Sequence, residues 1–237
     1  LGRVIGLHAG WRMSFLTMAI IAACTLTYLC FVFPKLEKTE KFTFKQLPEL
    51  FRNKTLMGLF AIAALVPTAQ YAAYSYIEPF MKFVAKMPDN MVTINLMILG
   101  CAGLLGSAIF ARTYEKHVKV FLTLSIAGIA VSHLLLYPAT VNEFAMIALF
   151  IFWGVCMTCF GMASQADLMA ATTVSAAPVA MSIYSGIFNF GIGSGTWVGG
   201  MICDHIDIAY IGYGAGILTI LGTIFSAWLA SHLHKKH

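Results

Sequence analysis

Glu78 constrains the chemistry of this chain more than any other residue. It is a carboxylate inside an apolar run covering 56–80, and Pro79 follows it directly. An ionisable group within a hydrophobic segment is costly, and it marks a pathway or a partner. Glu78 can therefore contact a polar solute or take up a proton; the other reading is a carboxylate at the membrane edge that caps a helix and meets water or Lys82. Pro79 disfavours helix at Glu78 itself, and Pro67 is expected to break the same run one segment earlier. A discontinuous helix frees backbone groups that bind polar solutes beside a cavity. Gln70, Tyr71, Tyr74 and Ser75 lie in the same run. Gln70 and Tyr74 are four residues apart and share a helix face. Amide and phenol groups suit the edges of a hydroxyl-rich molecule and an aromatic face suits its apolar side; packing between helices is the alternative. Asn189 lies mid-run in 179–203, with Tyr184 and Phe188 nearby. A buried amide there needs a partner on another helix or on a substrate. Gly191, Gly195 and Gly199 repeat at four-residue spacing, which lets a neighbouring helix approach closely.

Other polar residues point to plainer roles. His133 reads as a polar anchor near an outer helix end, and Gln165 and Asp167 as loop or cap residues after the run 144–163. The six cysteines, including Cys156 and Cys159, lie in or beside apolar runs, where a free thiol behaves as a small hydrophobe. No second pair or histidine cluster completes a metal quartet, and the terminal His232, His234 and His237 read as a tail. We expect neither metal nor cofactor. An intramembrane enzyme has no support: no run carries paired aspartates, a Ser/His dyad or His-Glu-x-x-His.

The elements that must hold these residues are seven apolar runs, near 13–33, 56–80, 92–111, 118–137, 144–163, 179–203 and 207–231. Each has about the 20 residues with which a helix crosses a bilayer. Only 11% of residues are charged, against about a quarter in soluble domains, so lipid is part of the solvent. Continuous runs, rather than ~10-residue alternating segments, select helices over a barrel. Eleven of the fifteen basic residues cluster in 34–55, 112–119 and the C-terminal segment. By the positive-inside rule these segments are cytoplasmic, so the +5 net charge reads as topology and not as nucleic-acid binding. The stretch 34–55 reads as a cytoplasmic linker with an amphipathic piece, Phe42 to Phe51, able to lie on the membrane surface. It divides a remnant of one bundle, 1–33, from a six-helix bundle, 56–237. The first ten residues read as the outer end of an earlier helix plus a turn, so we expect further sequence before Leu1, forming the rest of an N-terminal bundle.

Three stretches carry a family resemblance. Leu1-Gly2-Arg3-Val4-Ile5-Gly6 with Gly10-Trp11-Arg12 and Phe15 resembles the end of the fifth-helix antiporter motif of the major facilitator superfamily. Ala72-Ala73-Tyr74-Ser75-Tyr76-Ile77-Glu78-Pro79-Phe80 resembles the seventh helix of its bacterial sugar efflux transporters, the arabinose and lactose-analogue exporters. Ser185 to Gly193 resembles their eleventh helix. The superfamily's second-helix loop motif is absent, and Gly103, Gly106, Arg112 and Lys116 resemble its degenerate second-half copy. The resemblance implies an all-α membrane protein with a major facilitator-type bundle, comprising the tail of helix 5, helix 6 and helices 7–12. It implies proton-coupled export of sugars or similar small molecules across an inner membrane by alternating access, with Glu78, Gln70, Tyr74 and Asn189 lining one half of the site. Sliding of helices at Gly191, Gly195 and Gly199 is implied likewise. The alternatives are export of drugs, amino acids or nucleosides. A seven-helix receptor is weakened because no Asp-Arg-Tyr follows the third run and no Asn-Pro-x-x-Tyr lies in the last.

Overall fold

A computed structural model describes Ile5 and residues 10–32 and 47–233. The start of the chain apart from Ile5, linker residues 33–46 (hence part of the amphipathic piece) and the terminal His234, Lys235, Lys236 and His237 lie outside the described residues. No strand occurs among the described residues. The chain divides into two units, Leu1–Lys41 and Phe42–His237.

The first unit carries helix α1, Trp11–Val32. Gly10 precedes it at φ 85°, a left-handed conformation that glycine adopts without steric cost. Trp11 meets the edge of Phe15 at 6.1 Å and lies 5.4 Å from the Arg12 guanidinium.

The second unit is a bundle of α2 (Lys54–Tyr74), α3 (Asp89–Thr113), α4 (Val118–Leu134), α5 (Glu143–Ala170), α6 (Ala177–His205) and α7 (Ile211–Leu233). The short helix Leu47–Arg52 precedes α2. The main helix pairs are α2 with α6 and α7, α3 with α5, and α4 with α5 and α7. Leu56, Ile62 and Val66 of α2, Ile126 and Ile129 of α4, and Met146, Phe150 and Trp153 of α5 are buried in one core. Among the described residues five segments can cross a membrane by length and composition: Trp11–Val32, Lys54–Val84, Asp89–Thr113, Glu143–Ala170 and Ile208–His232. The two other expected spans differ for separate reasons. Helix α4 has 17 residues, about 26 Å at 1.5 Å per residue, short of the ~30 Å hydrocarbon core. Helix α6 has 29 residues, but six glycines together with serines and Asn189 dilute its apolar character.

Pro67 does not break its helix. Helix α2 runs unbroken from Lys54 to Tyr74. The carbonyl that Pro67 leaves without its helical donor is that of Ala63, and the Gly191 backbone of α6 lies against it; the Thr68 hydroxyl donates to the neighbouring Ala64 carbonyl at 2.7 Å. Hydroxyls and close neighbours make an intrahelical proline tolerable in lipid. The break falls instead at Ser75–Tyr76, and a turn of helix resumes at Ile77–Pro79, inclusive of Glu78. Proline lacks the N–H that would reach the carbonyl four residues back, and its ring clashes with that carbonyl. For Pro79 that residue is Ser75. Pro79 itself sits in the first turn of the new segment, where the missing donor costs nothing. A π-helical turn, Phe80–Val84, follows.

The glycine repeat marks the crossing of α2 and α6. A Cβ on Gly191 would stand 2.9 Å from the Ala64 carbonyl oxygen, and on Gly195 and Gly199 it would overlap the Thr68 and Ala72 carbonyl oxygens. Both helices advance four residues per step, so they run parallel, and only glycine permits the approach.

The expectations for Gln165, Asp167 and His133 fail. Helix α5 continues through Gln165 and Asp167 to Ala170, because 28 residues make about 42 Å of helix and a helix need not end where its apolar run ends. His133 is fully buried. It follows Ile126 and Ile129 on the inward face of α4, and Gly212 and Gly216 of α7 bring that helix close against it.

Candidate functional site

The break in α2 opens a concavity of about 370 Å³. Tyr71, Tyr74, Ser75, Ile77 and Glu78 line it from α2 and the following turn, Leu96 from α3, and Ile192 and Thr196 from α6. Four of the candidates, Tyr71, Tyr74, Ser75 and Glu78, therefore come together. The rings of Tyr71 and Tyr74 meet edge to face with centroids 5.5 Å apart. The Ser75 and Thr196 hydroxyls are 2.8 Å apart, and the Tyr76 hydroxyl donates to the Thr196 carbonyl at 3.2 Å, tying the turn to α6. Lys82 reaches Glu78 at 3.5 Å and Asp89 at 3.0 Å. The rim thus carries one ammonium shared by two carboxylates, both in contact with solvent. Phenols, hydroxyls and a paired carboxylate beside Ile77, Leu96 and Ile192 provide hydrogen-bonding edges and apolar faces within one space.

The other candidates stand elsewhere. Gln70 is buried; its Oε1 accepts the Trp153 indole N–H at 3.0 Å and its amide donates to Met157 Sδ at 3.3 Å. Its amide is committed to α5. Tyr184 is buried, with its hydroxyl 2.6 Å from that of Ser164, and its ring lies 5.8 Å from Phe188. Both sit on α6 nearer its start than the concavity. Asn189 was expected to be buried but is exposed, and it donates to the Ser185 carbonyl of its own helix at 2.8 Å. It precedes Ile192 by three residues and so shares that face of α6 without lining the concavity.

A second concavity, of about 400 Å³, lies where the starts of α2 and α4 meet the ends of α5 and α7, with Asn53, Lys119, Asp167 and Ser226 in its wall. No motif marked it, since its residues come from four segments far apart in sequence. Much of its polar surface is already engaged. Asn53 caps α2 through the N–H groups of Thr55 and Leu56 and donates to the Ala171 carbonyl at 2.9 Å. The Thr123 and Ser226 hydroxyls pair at 2.8 Å, and Tyr114 donates to Asp167. Burial, and then the bond to Asp167, push the Tyr114 phenol well above its ordinary range. A raised phenol pKa means stability that is complete below about pH 10 and is lost as the pH rises beyond it. Tyr114→Phe is expected to lower the thermal unfolding midpoint of the purified protein, at a cost of about 1 kcal/mol. An unchanged midpoint at neutral pH would show that the contact carries no stability.

Among the described residues no three His, Cys, Asp or Glu side chains gather into a metal-holding group. The family model described as Major Facilitator Superfamily matches residues 1–177, about three-quarters of the 237 residues. The chain belongs to that superfamily, and with its apolar helices it is a multi-pass, all-α membrane protein of the secondary-transporter class.

Proposed function

We propose that this superfamily member exports sugars or sugar-like small molecules in exchange for protons, with the concavity at the break of α2 as part of its substrate site. The observation that carries this reading is the convergence of Tyr71, Tyr74, Ser75, Glu78 and Thr196 on one space beside a discontinuous helix. Ring faces take the apolar side of a pyranose, and hydroxyls take its edges. An aromatic pair with a carboxylate also suits an organic cation. Here the Lys82 ammonium already stands 3.5 Å from Glu78, which favours a neutral, hydroxyl-rich solute. The resemblance of 72–80 and 185–193 to sugar exporters supports the outward direction. The basic clusters support a cytoplasmic C-terminus in an inner membrane. Rocking of this six-helix bundle against a partner bundle would expose the site alternately to the two sides.

The test is flux of radiolabelled lactose and arabinose in proteoliposomes holding the full-length protein, with and without a pH gradient. Gradient-driven flux is expected for at least one of them, and Tyr74→Ala is expected to raise KM about tenfold with Vmax little changed. Absence of gradient-driven flux with both sugars overturns the reading.

A further inference from the structure

Trp153 is the largest fully buried side chain of the bundle, and it stands directly behind the wall of the concavity. Its ring meets Tyr74 edge to face at 6.4 Å, and Tyr74 lines the space. Two groups from other helices fix the indole. Its N–H donates to Gln70 Oε1 of α2 at 3.0 Å, which sets the amide orientation, because an indole can only donate. On another side His133 of α4 packs edge to face at 5.2 Å. His133 is itself oriented: its Nδ1 lies 2.9 Å from the Thr219 hydroxyl oxygen of α7. That hydroxyl also lies 2.8 Å from the Ala215 carbonyl, which can only accept, and its proton is assigned there. Thr219 therefore accepts, and Nδ1 of His133 carries the proton. The opposite nitrogen, Nε2, is buried without a hydrogen-bond partner among the described residues. Leaving such an atom unpaired costs about 1–3 kcal/mol; a leucine or phenylalanine would avoid that cost, so packing alone does not explain a histidine here.

We propose that His133 is a positioning residue for the substrate site: held by Thr219, it fixes Trp153, and Trp153 sets where the Tyr74 ring stands. Four helices, α2, α4, α5 and α7, are thereby registered on one indole. The inference rests on the reading of the concavity as a substrate site. It goes further by placing control of affinity at a side chain that touches no substrate.

The experiment uses the full-length protein in proteoliposomes with radiolabelled lactose and arabinose, and compares His133→Phe, Thr219→Val and Tyr74→Ala. Phe keeps the ring and its edge contact without the hydrogen bond. Val keeps the shape of Thr219 and removes the acceptor, so the inference stays testable if His133→Phe does not fold. Trp11, Trp197 and Trp228, all exposed, are replaced by Phe, so that among this chain's tryptophans only Trp153 emits. Both network variants are expected to raise KM for the transported sugar about three- to tenfold, with Vmax within about twofold and with shifted Trp153 emission. If Tyr74→Ala raises KM while both network variants keep native KM, the positioning role is overturned and the substrate site stands. If the network variants lose Vmax and thermal stability with no change in KM, His133 is merely structural and the proposal falls. Unchanged KM in Tyr74→Ala overturns the substrate site and the proposal together.

Discussion

Leucine at Gly195 is expected to prevent the bundle from assembling. A Cβ at this position overlaps the backbone carbonyl of Thr68, and backbone, unlike the end of a flexible side chain, cannot swing aside. Relief requires α2 and α6 to move apart along their whole crossing, because Gly191 and Gly199 hold the same approach one turn to either side. That separation would open the contact of the Thr68 and Ser194 hydroxyls at 3.0 Å and that of Ser75 and Thr196. In lipid no hydrophobic force compensates, since tails are as apolar as side chains and close packing itself drives association. Gly195→Ala is expected to cost about 1–3 kcal/mol by overpacking, and Gly195→Leu to abolish monodisperse protein on size-exclusion chromatography. Gly193 is the control: a Cβ there meets nothing within 4 Å, so Gly193→Ala should be neutral. A monodisperse Gly195→Leu protein with a native unfolding midpoint would show that the two helices do not need this contact.

That crossing was legible in the sequence because four-residue spacing of glycine has one geometric meaning on a helix. The break beside Glu78 was legible only in part. Two prolines announced a discontinuity, but its position depended on which carbonyl each ring displaced and on what lay opposite. The Ala63 carbonyl behind Pro67 faces the Gly191 backbone of α6, and the helix survives; the ring of Pro79 displaces Ser75, and the helix parts there. Gln70 and His133 were misplaced in opposite directions. Gln70 resembled a site residue because it shares a face with Tyr74, yet an indole 83 positions away claims its amide. His133 resembled an anchor because it stands near the end of its run, yet the glycines of α7 draw that turn into the core. Partners so distant along the chain leave no trace in local periodicity, which is also why the second concavity carried no signal.

Glu78→Gln is expected to uncouple transport from the proton gradient while leaving the protein folded and inserted. Glu78 is 42% exposed and lies in the first turn after the break, 3.5 Å from Lys82. Glutamine keeps the shape and the hydrogen-bonding edge, so substrate contact largely persists, but it can neither bind nor release a proton. With one-for-one exchange, a gradient of one pH unit is worth about 1.4 kcal/mol and sustains about a tenfold concentration ratio of solute. In Glu78→Gln that ratio is expected to fall to about one, while downhill exchange of labelled for unlabelled lactose continues. Asp89 separates this from loss of the ion pair. It also holds Lys82, at 3.0 Å, but is 67% exposed and lies outside the concavity. Asp89→Asn perturbs the same ammonium and should leave the ratio near its native value. If Glu78→Gln retains the tenfold ratio, the carboxylate serves only to anchor Lys82, and the coupling proton binds elsewhere. If Asp89→Asn collapses the ratio as well, the shared ammonium of Lys82 is the element that coupling requires, and Glu78 acts through it.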